Sequence, residues 1–279
     1  MFKLNAYQLK LLAIIGMITS HTVIAWWGIL PTWLRFPMYA AGGLTFPIMA
    51  YFIAEGYKHT SNLKKYILRV LLFGLLALPF HILTITLPMG GGIPMVQPFP
   101  LPLMYPFLNI MFNIVLSLLV LVLYDKIKIR PLFWILYLIV IAPLSLLFLE
   151  WYFIGVTMVL MVHIIKNETA RRVVPPLFAA ILFSLIGISV NIMIQPFAAL
   201  EVDTLLAALG TDSLPRLLTP DFTPVQMVFS LGMVVAALLL KGYNGERGRR
   251  VKWLFYVIYP LHFIILFFGM MIFRATGLA

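Results

Sequence analysis

An all-α bundle of membrane-crossing helices is the fold class this sequence predicts, and three observations predict it. The 279 residues are 63% hydrophobic and only 10% charged, with a mean hydropathy of +1.04, whereas soluble domains run at about 45–50% apolar and about 25% charged. Apolar runs of the roughly 20 residues needed to cross a hydrocarbon layer recur along the whole chain. The basic residues gather on alternate sides of those runs. Together these exclude a soluble globule, a disordered chain and a disulfide scaffold. Residues 1–279 read as a single polytopic transmembrane domain.

Between charges, prolines and glycines the runs lie at 9–30, 36–57, 66–86, 106–124, 131–149, 151–165, 175–196, 223–241 and 253–273. The first follows Lys3 and Lys10 with no small-residue cleavage site behind it, so it reads as a retained span and not as a removed signal peptide. Glu150 alone separates the fifth run from the sixth, and the sixth is short enough to stand upright or to be partly re-entrant. No internal repeat is visible, so an inverted-repeat transporter gains no support.

With the N-terminus in the cytoplasm, the inner side takes Lys3, Lys10, Lys58, Lys64, Lys65, Arg69, Lys126, Lys128, Arg130, Lys166, Arg171, Arg172, Lys241, Arg247, Arg249, Arg250 and Lys252. Only Arg35, Arg216 and Arg274 fall outside. Such an asymmetry predicts nine spans, N-terminus inside and C-terminus outside. It also accounts for the formal charge of +11 with no nucleic-acid partner. Trp26, Trp27, Trp33 and Trp151 fit an external interfacial belt. Cysteine is absent, which excludes disulfides, thiolate metal ligation and a thiol nucleophile.

The external loop 87–105 carries no charge and reads as an interfacial segment or a lid. Its Gly90 to Gly92 are no phosphate cradle, because the Lys and Ser/Thr of such a loop do not follow. Residues 200–222, with Glu201, Asp203, Asp212 and Asp221, read as a solvated acidic loop.

Ionisable side chains inside a bilayer are costly, and so begin as functional candidates. His21 lies about 18 Å into the first span and His262 about 14 Å into the last, counted from the cytoplasmic side. Both belong near the midplane, where they can face one another. A structural use remains open for each. Ser20 or Thr22 can tether a neutral His21, and Pro260 frees a backbone carbonyl one turn earlier that His262 can satisfy. As a general base, His21 suits proton removal from a hydroxyl or amine. His81 falls near the external end of the third span. His163 and His59 fall near cytoplasmic ends, where headgroup contact is explanation enough.

Glu55, His59, Lys64, Lys65 and Arg69 form a second cluster at the cytoplasmic end of the second and third runs. Glu55 and Arg69 read either as an ion pair closing a short hairpin or, with Lys64 and Lys65, as part of a basic pocket for an anionic cofactor. The basic run 241–252 reads as a headgroup-binding loop. No metal-ligand set, Walker loop, nucleophile elbow, Ser-His-Asp spacing or pore filter is present in the sequence.

The motifs Leu9-Lys10-Leu11-Leu12-Ala13 to His21, Leu44-Thr45-Phe46-Pro47, Glu55-Gly56-Tyr57-Lys58-His59-Thr60 and Lys65-Tyr66-Ile67-Leu68-Arg69 are joined by Tyr243-Asn244-Gly245-Glu246-Arg247-Gly248 and by Phe255 to His262. Asn109 and Glu150-Trp151-Tyr152 with Gly155 fit the same pattern. In these motifs the chain resembles the TraX family, strongly over residues 9–75 and 239–265. That family is linked to acetylation of the N-terminus of conjugative pilin, and it is similar to multi-span acyltransferases that use cytoplasmic acyl-CoA.

The resemblance implies acetyl-CoA as donor, a bacterial inner-membrane setting among membrane lipids, and an acceptor amine or hydroxyl on a peptide, sugar or lipid. It places Arg69, Lys65, Lys64, Glu55 and His59 at the donor mouth and His21 at the transfer step. His262 would orient or relay, and hydroxyls of Ser20, Thr19 or Thr22 would steady an oxyanion. The family pattern often carries Asp where this chain has Ser20 and Arg where it has Gly43. The joint absence reads as loss of an ion pair, and it leaves His21 without an obvious carboxylate. A non-catalytic transport or lipid- and solute-binding protein is the alternative from a different class.

Overall fold

Apolar stretches that leave water have only their own backbone to satisfy N–H and C=O groups, and a helix does so within one segment. The computed structural model describes residues 3–86, 108–198, 222–249 and 252–276, which are helical apart from connections and two isolated parallel bridges, Leu4 with Tyr243 and Leu108 with Leu149. The helices are α1 (Ala6–Ala25), α2 (Thr32–Gly42), α3 (Thr45–His59), α4 (Leu63–Thr86), α5 (Ile110–Lys126), α6 (Arg130–Leu136), α7 (Ala142–Phe148), α8 (Tyr152–Ile164), α9 (Glu168–Ala198), α10 (Phe222–Lys241) and α11 (Lys252–Ala275). Among the described residues four helical stretches are long and apolar enough to cross a membrane: Ala6–Ala25, Thr32–His59, Leu63–Thr84 and Trp253–Ala275. The loop 87–105 and most of the acidic segment 200–222 lie outside the described residues.

A reciprocal cap starts α1. Asn5 Oδ1 accepts from the Gln8 N–H at 3.0 Å, and Gln8 Oε1 accepts from the Asn5 N–H at 2.9 Å. Parallel pairing of Leu4 with Tyr243 then pins this terminus to the α10–α11 connection, with the Ala6 N–H donating to the Glu246 carbonyl at 2.8 Å.

The run expected at 36–57 is broken at Gly43-Leu44 into α2 and α3. Small residues explain what happens there. A Cβ on Gly43 would run into the Phe229 carbonyl oxygen on α10, and one on Gly232 into the Ala40 carbonyl oxygen on α2. Across the other face of α2, a Cβ on Gly16 would meet the Ala41 carbonyl, and one on Gly42 would meet Ser20 Cβ. Backbones approach this closely only where side chains are absent or tiny. A side chain at position 43 has no room, so two helices pack backbone to backbone there.

The run at 131–149 is one helical path with a π segment, Tyr137–Ile141, between α6 and α7. Pro143 has no N–H to return to the carbonyl four residues earlier, and the widened turn forms there. The sixth run becomes α8, whose 13 residues span only about 20 Å. Its Ile154, Val156, Met158, Val159, Leu160 and Val162 are all buried, with α3, α5 and α9 packed around it. It is an interior helix wrapped in protein.

Helix α11 shows how the bundle meets its surroundings. Val257, Leu261, Ile265, Phe268 and Ile272 form an exposed apolar stripe, while Tyr259, His262, Phe263 and Met270 are buried on the other side. Leu68, Leu72, Leu75 and Leu76 of α4 and Leu132, Ile135, Leu138 and Ile139 of the α6–π path are likewise exposed. Contiguous apolar surface on this scale suits contact with lipid and not with water.

Candidate functional site

His21 on α1 and His262 on α11 are both buried and bonded to each other, His262 Nε2 to His21 Nδ1 at 2.9 Å, with their rings stacked at 4.9 Å between centroids. His262 Nδ1 lies 3.1 Å from the Ile258 carbonyl oxygen. A carbonyl only accepts, so His262 Nδ1 carries the proton. In the neutral pair His262 Nε2 is then the acceptor, and His21 Nδ1 donates to it. The remaining ring nitrogen, His21 Nε2, keeps its lone pair free, and it faces Glu150 Oε1 at 3.9 Å. The carbonyl that Pro260 leaves without its helical donor is that of Tyr256, so His262 takes a different carbonyl from the one the sequence offers.

Glu150 supplies the carboxylate that His21 lacks in the sequence. Its Oε2 accepts from the Ile110 N–H at 2.9 Å, the first residue of α5 behind the Asn109 cap. Negative charge is favoured at a helix N-terminus. The backbone that aims this side chain is strained: Trp151 and Tyr152 both have positive φ, at 67° and 48°. Each such non-glycine residue costs on the order of 1–3 kcal/mol.

Asn113 on α5 holds that turn, its Nδ2 donating to the carbonyls of Glu150 and Tyr152, both at 2.9 Å. Gly155 leaves space for it, since a Cβ there would lie 2.8 Å from Asn113 Oδ1. Trp151 wedges against Phe46, Phe183 and Phe229. Asn113→Leu strips two carbonyls of their donor and is expected to lower stability by on the order of 3 kcal/mol, read as a fall in the midpoint of thermal unfolding in detergent. An unchanged midpoint would mean the turn is held by other contacts.

Below the imidazoles three cavities share their linings end to end. The inner one, about 50 Å³, is bounded by Ala13, Ile14, Met17, Ile110 and Tyr259. Met49, Met111, Ile114 and Phe255 continue it into a second cavity of about 190 Å³, which Lys10, Arg247 and Arg249 enter. Lys10, Tyr66, Arg247 and Tyr256 pass on to an open mouth of about 580 Å³, where Glu55, His59 and Arg69 stand. Followed along these shared linings, the cavities are basic at the mouth and apolar at the inner end. The inner lining stops at Met17 and Tyr259, roughly one helical turn short of His21 and His262. The Tyr259 ring lies against that of His262, at 5.5 Å between centroids.

The other expected site residues divide. Arg69 lines the mouth with its guanidinium 5.9 Å from the Tyr256 ring, and Glu55 and His59 line it too. Lys64 and Lys65 are exposed at the start of α4, outside that lining. The hairpin ion pair of Glu55 with Arg69 is replaced by another. Glu55 Oε1 meets Arg171 Nη2 at 2.5 Å, and Arg171 Nη1 also meets Glu168 at 2.7 Å. Glu55 turns toward α9, whereas Arg69 stays with the aromatic rings of α4 and α11. Ser20 donates to the Met17 carbonyl at 3.0 Å and packs on Gly42. Thr19 and Thr22 likewise bond to carbonyls one turn back in α1. None of these three hydroxyls is bonded to the imidazole pair.

Sequence reasoning missed Glu150, Asn113, Tyr259 and the entry of Lys10, Arg247 and Arg249 into the cavity. Glu150 carried a signal as a lone acid inside an apolar stretch, and it, Tyr259 and Arg247 all lie in the motifs on which the resemblance rests. Among the described residues no group of three or more His, Asp or Glu is placed to hold a metal ion. Chemically the arrangement offers a proton-accepting imidazole nitrogen with a carboxylate facing it, one helical turn above cavities that are apolar inside and basic toward the mouth.

No solved structure matches the chain. A protein of Dichelobacter nodosus described as "Probable fimbrial assembly protein FimC, serogroup H1" is 26% identical over 266 residues, which cover 94% of each chain. The family described as "TraX protein" matches residues 5–269, a stretch that includes His21, Glu150, Tyr259, His262 and the basic mouth. On that match the chain belongs to the TraX family.

Proposed function

We propose that this chain is a multi-pass membrane acyltransferase that moves an acyl group, acetyl in the first instance, from cytoplasmic acyl-CoA to an amine or hydroxyl acceptor at the membrane. The observation that carries the proposal is the run of cavities from Lys10, Arg247 and Arg249 to Met17 and Tyr259, one helical turn below the His262–His21–Glu150 chain. Acyl-CoA has the matching build, with phosphates outermost and a slender thioester arm inside. Basic side chains meet phosphate through charge-assisted hydrogen bonds.

In the transfer step the acceptor adds to the thioester carbonyl as its proton passes to His21 Nε2. Glu150 stabilises the imidazolium that forms, and His262 holds the ring in the reactive tautomer. Collapse of the adduct breaks the C–S bond, and the departing thiolate takes the proton from His21. A thioester is activated enough for direct attack, so no covalent enzyme intermediate is needed.

The charge asymmetry supports nine spans, with the N-terminus and basic mouth in the cytoplasm of a bacterial inner membrane. The fimbrial relative supports a pilin-like peptide as acceptor. A second reading, lipid or solute binding without catalysis, is favoured by the apolar inner wall of Met17, Met49, Ile114 and Phe255.

Thermal unfolding in detergent separates the two. Acetyl-CoA at a hundred times its dissociation constant adds about 2.7 kcal/mol and raises the midpoint under the acyltransferase reading. The paired change Arg247→Glu and Arg249→Glu is expected to weaken that shift at equal ligand concentration. No shift with acetyl-CoA together with a shift from fatty acid or phospholipid would favour the second reading.

A further inference from the structure

The polar atoms around the blind end are almost all accounted for. Ile110 N–H serves Glu150, the two imidazoles serve each other and Ile258, and the hydroxyls of Thr19, Ser20 and Thr22 serve their own helix. Tyr259 is different. It is 2% exposed and is among the residues lining the inner cavity, and although the Ile110 N–H and the Glu150 carboxylate lie in its neighbourhood its hydroxyl makes no well-formed hydrogen bond among the described residues. A buried hydroxyl left unpaired costs on the order of 1–3 kcal/mol. Phenylalanine would fill the same space without that cost, so the hydroxyl calls for a partner that arrives with a ligand.

The cavity wall beside Tyr259 is apolar, built from Ala13, Ile14, Met17 and Phe46, and the one charged group near the ring is the Glu150 carboxylate, which repels a phosphate or carboxylate ligand. The ligand atom that suits a lone O–H donor in such a place is a neutral carbonyl oxygen.

We infer that Tyr259 is a catalytic residue whose hydroxyl donates to the carbonyl oxygen of a bound acyl thioester at the blind end of the cavity. This rests on the acyl-transfer reading above and adds the oxyanion donor it lacks. When the acceptor nitrogen or oxygen bonds to the carbonyl carbon, the π pair moves onto the carbonyl oxygen and the Tyr259 O–H bond to it tightens. When the C–S bond breaks, the pair returns to re-form the carbonyl. The thiolate takes up the proton that His21 removed from the acceptor, so the products are the acylated acceptor and free CoA thiol. Tyr259 keeps its own proton throughout. The apolar wall makes the donor worth more there than in water.

The test compares Tyr259→Phe with the parent protein in detergent, using acetyl-CoA carrying an isotope-labelled carbonyl and no acceptor. Infrared difference spectra read the carbonyl stretch of the bound thioester, and thermal unfolding reads folding and binding. The expected result is a lowered stretching frequency in the parent that returns toward the aqueous value in Tyr259→Phe. Acetyl transfer in cells is expected to fall by about 10²-fold or more, with the acetyl-CoA thermal shift retained. Binding by both proteins with the same carbonyl frequency would overturn the role of Tyr259 and leave the acyltransferase reading standing. Failure of the parent protein to bind acetyl-CoA at all would overturn both. Should Tyr259→Phe unfold, Tyr259→Met provides a second apolar filler with no hydrogen-bond donor, judged by the same carbonyl readout.

Discussion

His21→Ala is expected to lower acetyl transfer by about 10²–10⁴-fold, measured as labelled acetyl incorporated into proteins and lipids of cells making the chain. The size follows from the tautomer chain. The Ile258 carbonyl fixes the His262 proton on Nδ1, so His21 Nε2 is the one ring nitrogen left to accept, and it faces Glu150 at 3.9 Å. Without the imidazole only Glu150 Oε1 is left to take the proton at that point, and a carboxylate is ordinarily a weaker base than an imidazole. The acetyl-CoA thermal shift is expected to persist, since the phosphate-facing residues lie at the opposite end of the passage. Glu150→Gln is expected to retain the Ile110 bond while weakening transfer less than His21→Ala. Undiminished transfer by His21→Ala would remove the imidazole from the mechanism.

Arg171→Ala is expected to lower stability by about 3 kcal/mol, seen as a lowered midpoint of thermal unfolding. Arg171 is buried, and it joins Glu55 at 2.5 Å, Glu168 at 2.7 Å and the Val162 carbonyl at 3.2 Å, tying α3 and α8 to α9. Its loss leaves the Val162 carbonyl without that donor and reduces the partners of Glu168 to Arg172 and those of Glu55 to Lys58 and His59 at longer range. The figure sits at the low end for a broken buried pair because Glu168 keeps much of its contact with water.

Burial pushes the Glu168 carboxyl up, but the hydrogen bond and charge of Arg171 outweigh it and hold the group below the usual carboxylate range. A carboxyl lowered on folding contributes stability that is present above its unfolded pKa and lost as pH falls through its folded one. Parent and Arg171→Ala midpoints should therefore converge on acidification below the ordinary carboxylate range. A gap that stays constant down to low pH would contradict this origin.

Much of the bundle was legible because hydrophobic run length and charge placement act locally. Each run corresponds to a helix or helical path in the described residues, and the break at 43–44 and the widened turn before Pro143 both carry sequence marks. His21 and His262 were legible as a pair from depth alone. Glu150 was not, because its role depends on a backbone turn with positive φ at Trp151 and Tyr152, residue types that seldom adopt it. Its charge also depends on the start of α5, reached across a long stretch of chain.

The mouth was half legible for a related reason. Arg69, Glu55 and His59 are close in sequence, but Lys10 meets Arg247 only because Leu4 pairs with Tyr243. Ser20 misled by position, since a neighbour of His21 in sequence points about 100° away around the helix, here onto Gly42.

An experimental structure with a non-transferable acyl-CoA analogue addresses the central claim most directly. The account predicts phosphates among Lys10, Arg247 and Arg249, with the acyl carbonyl beside Tyr259 and below His21. Density for a lipid chain in the passage despite saturating analogue, or CoA held away from it, would contradict the account.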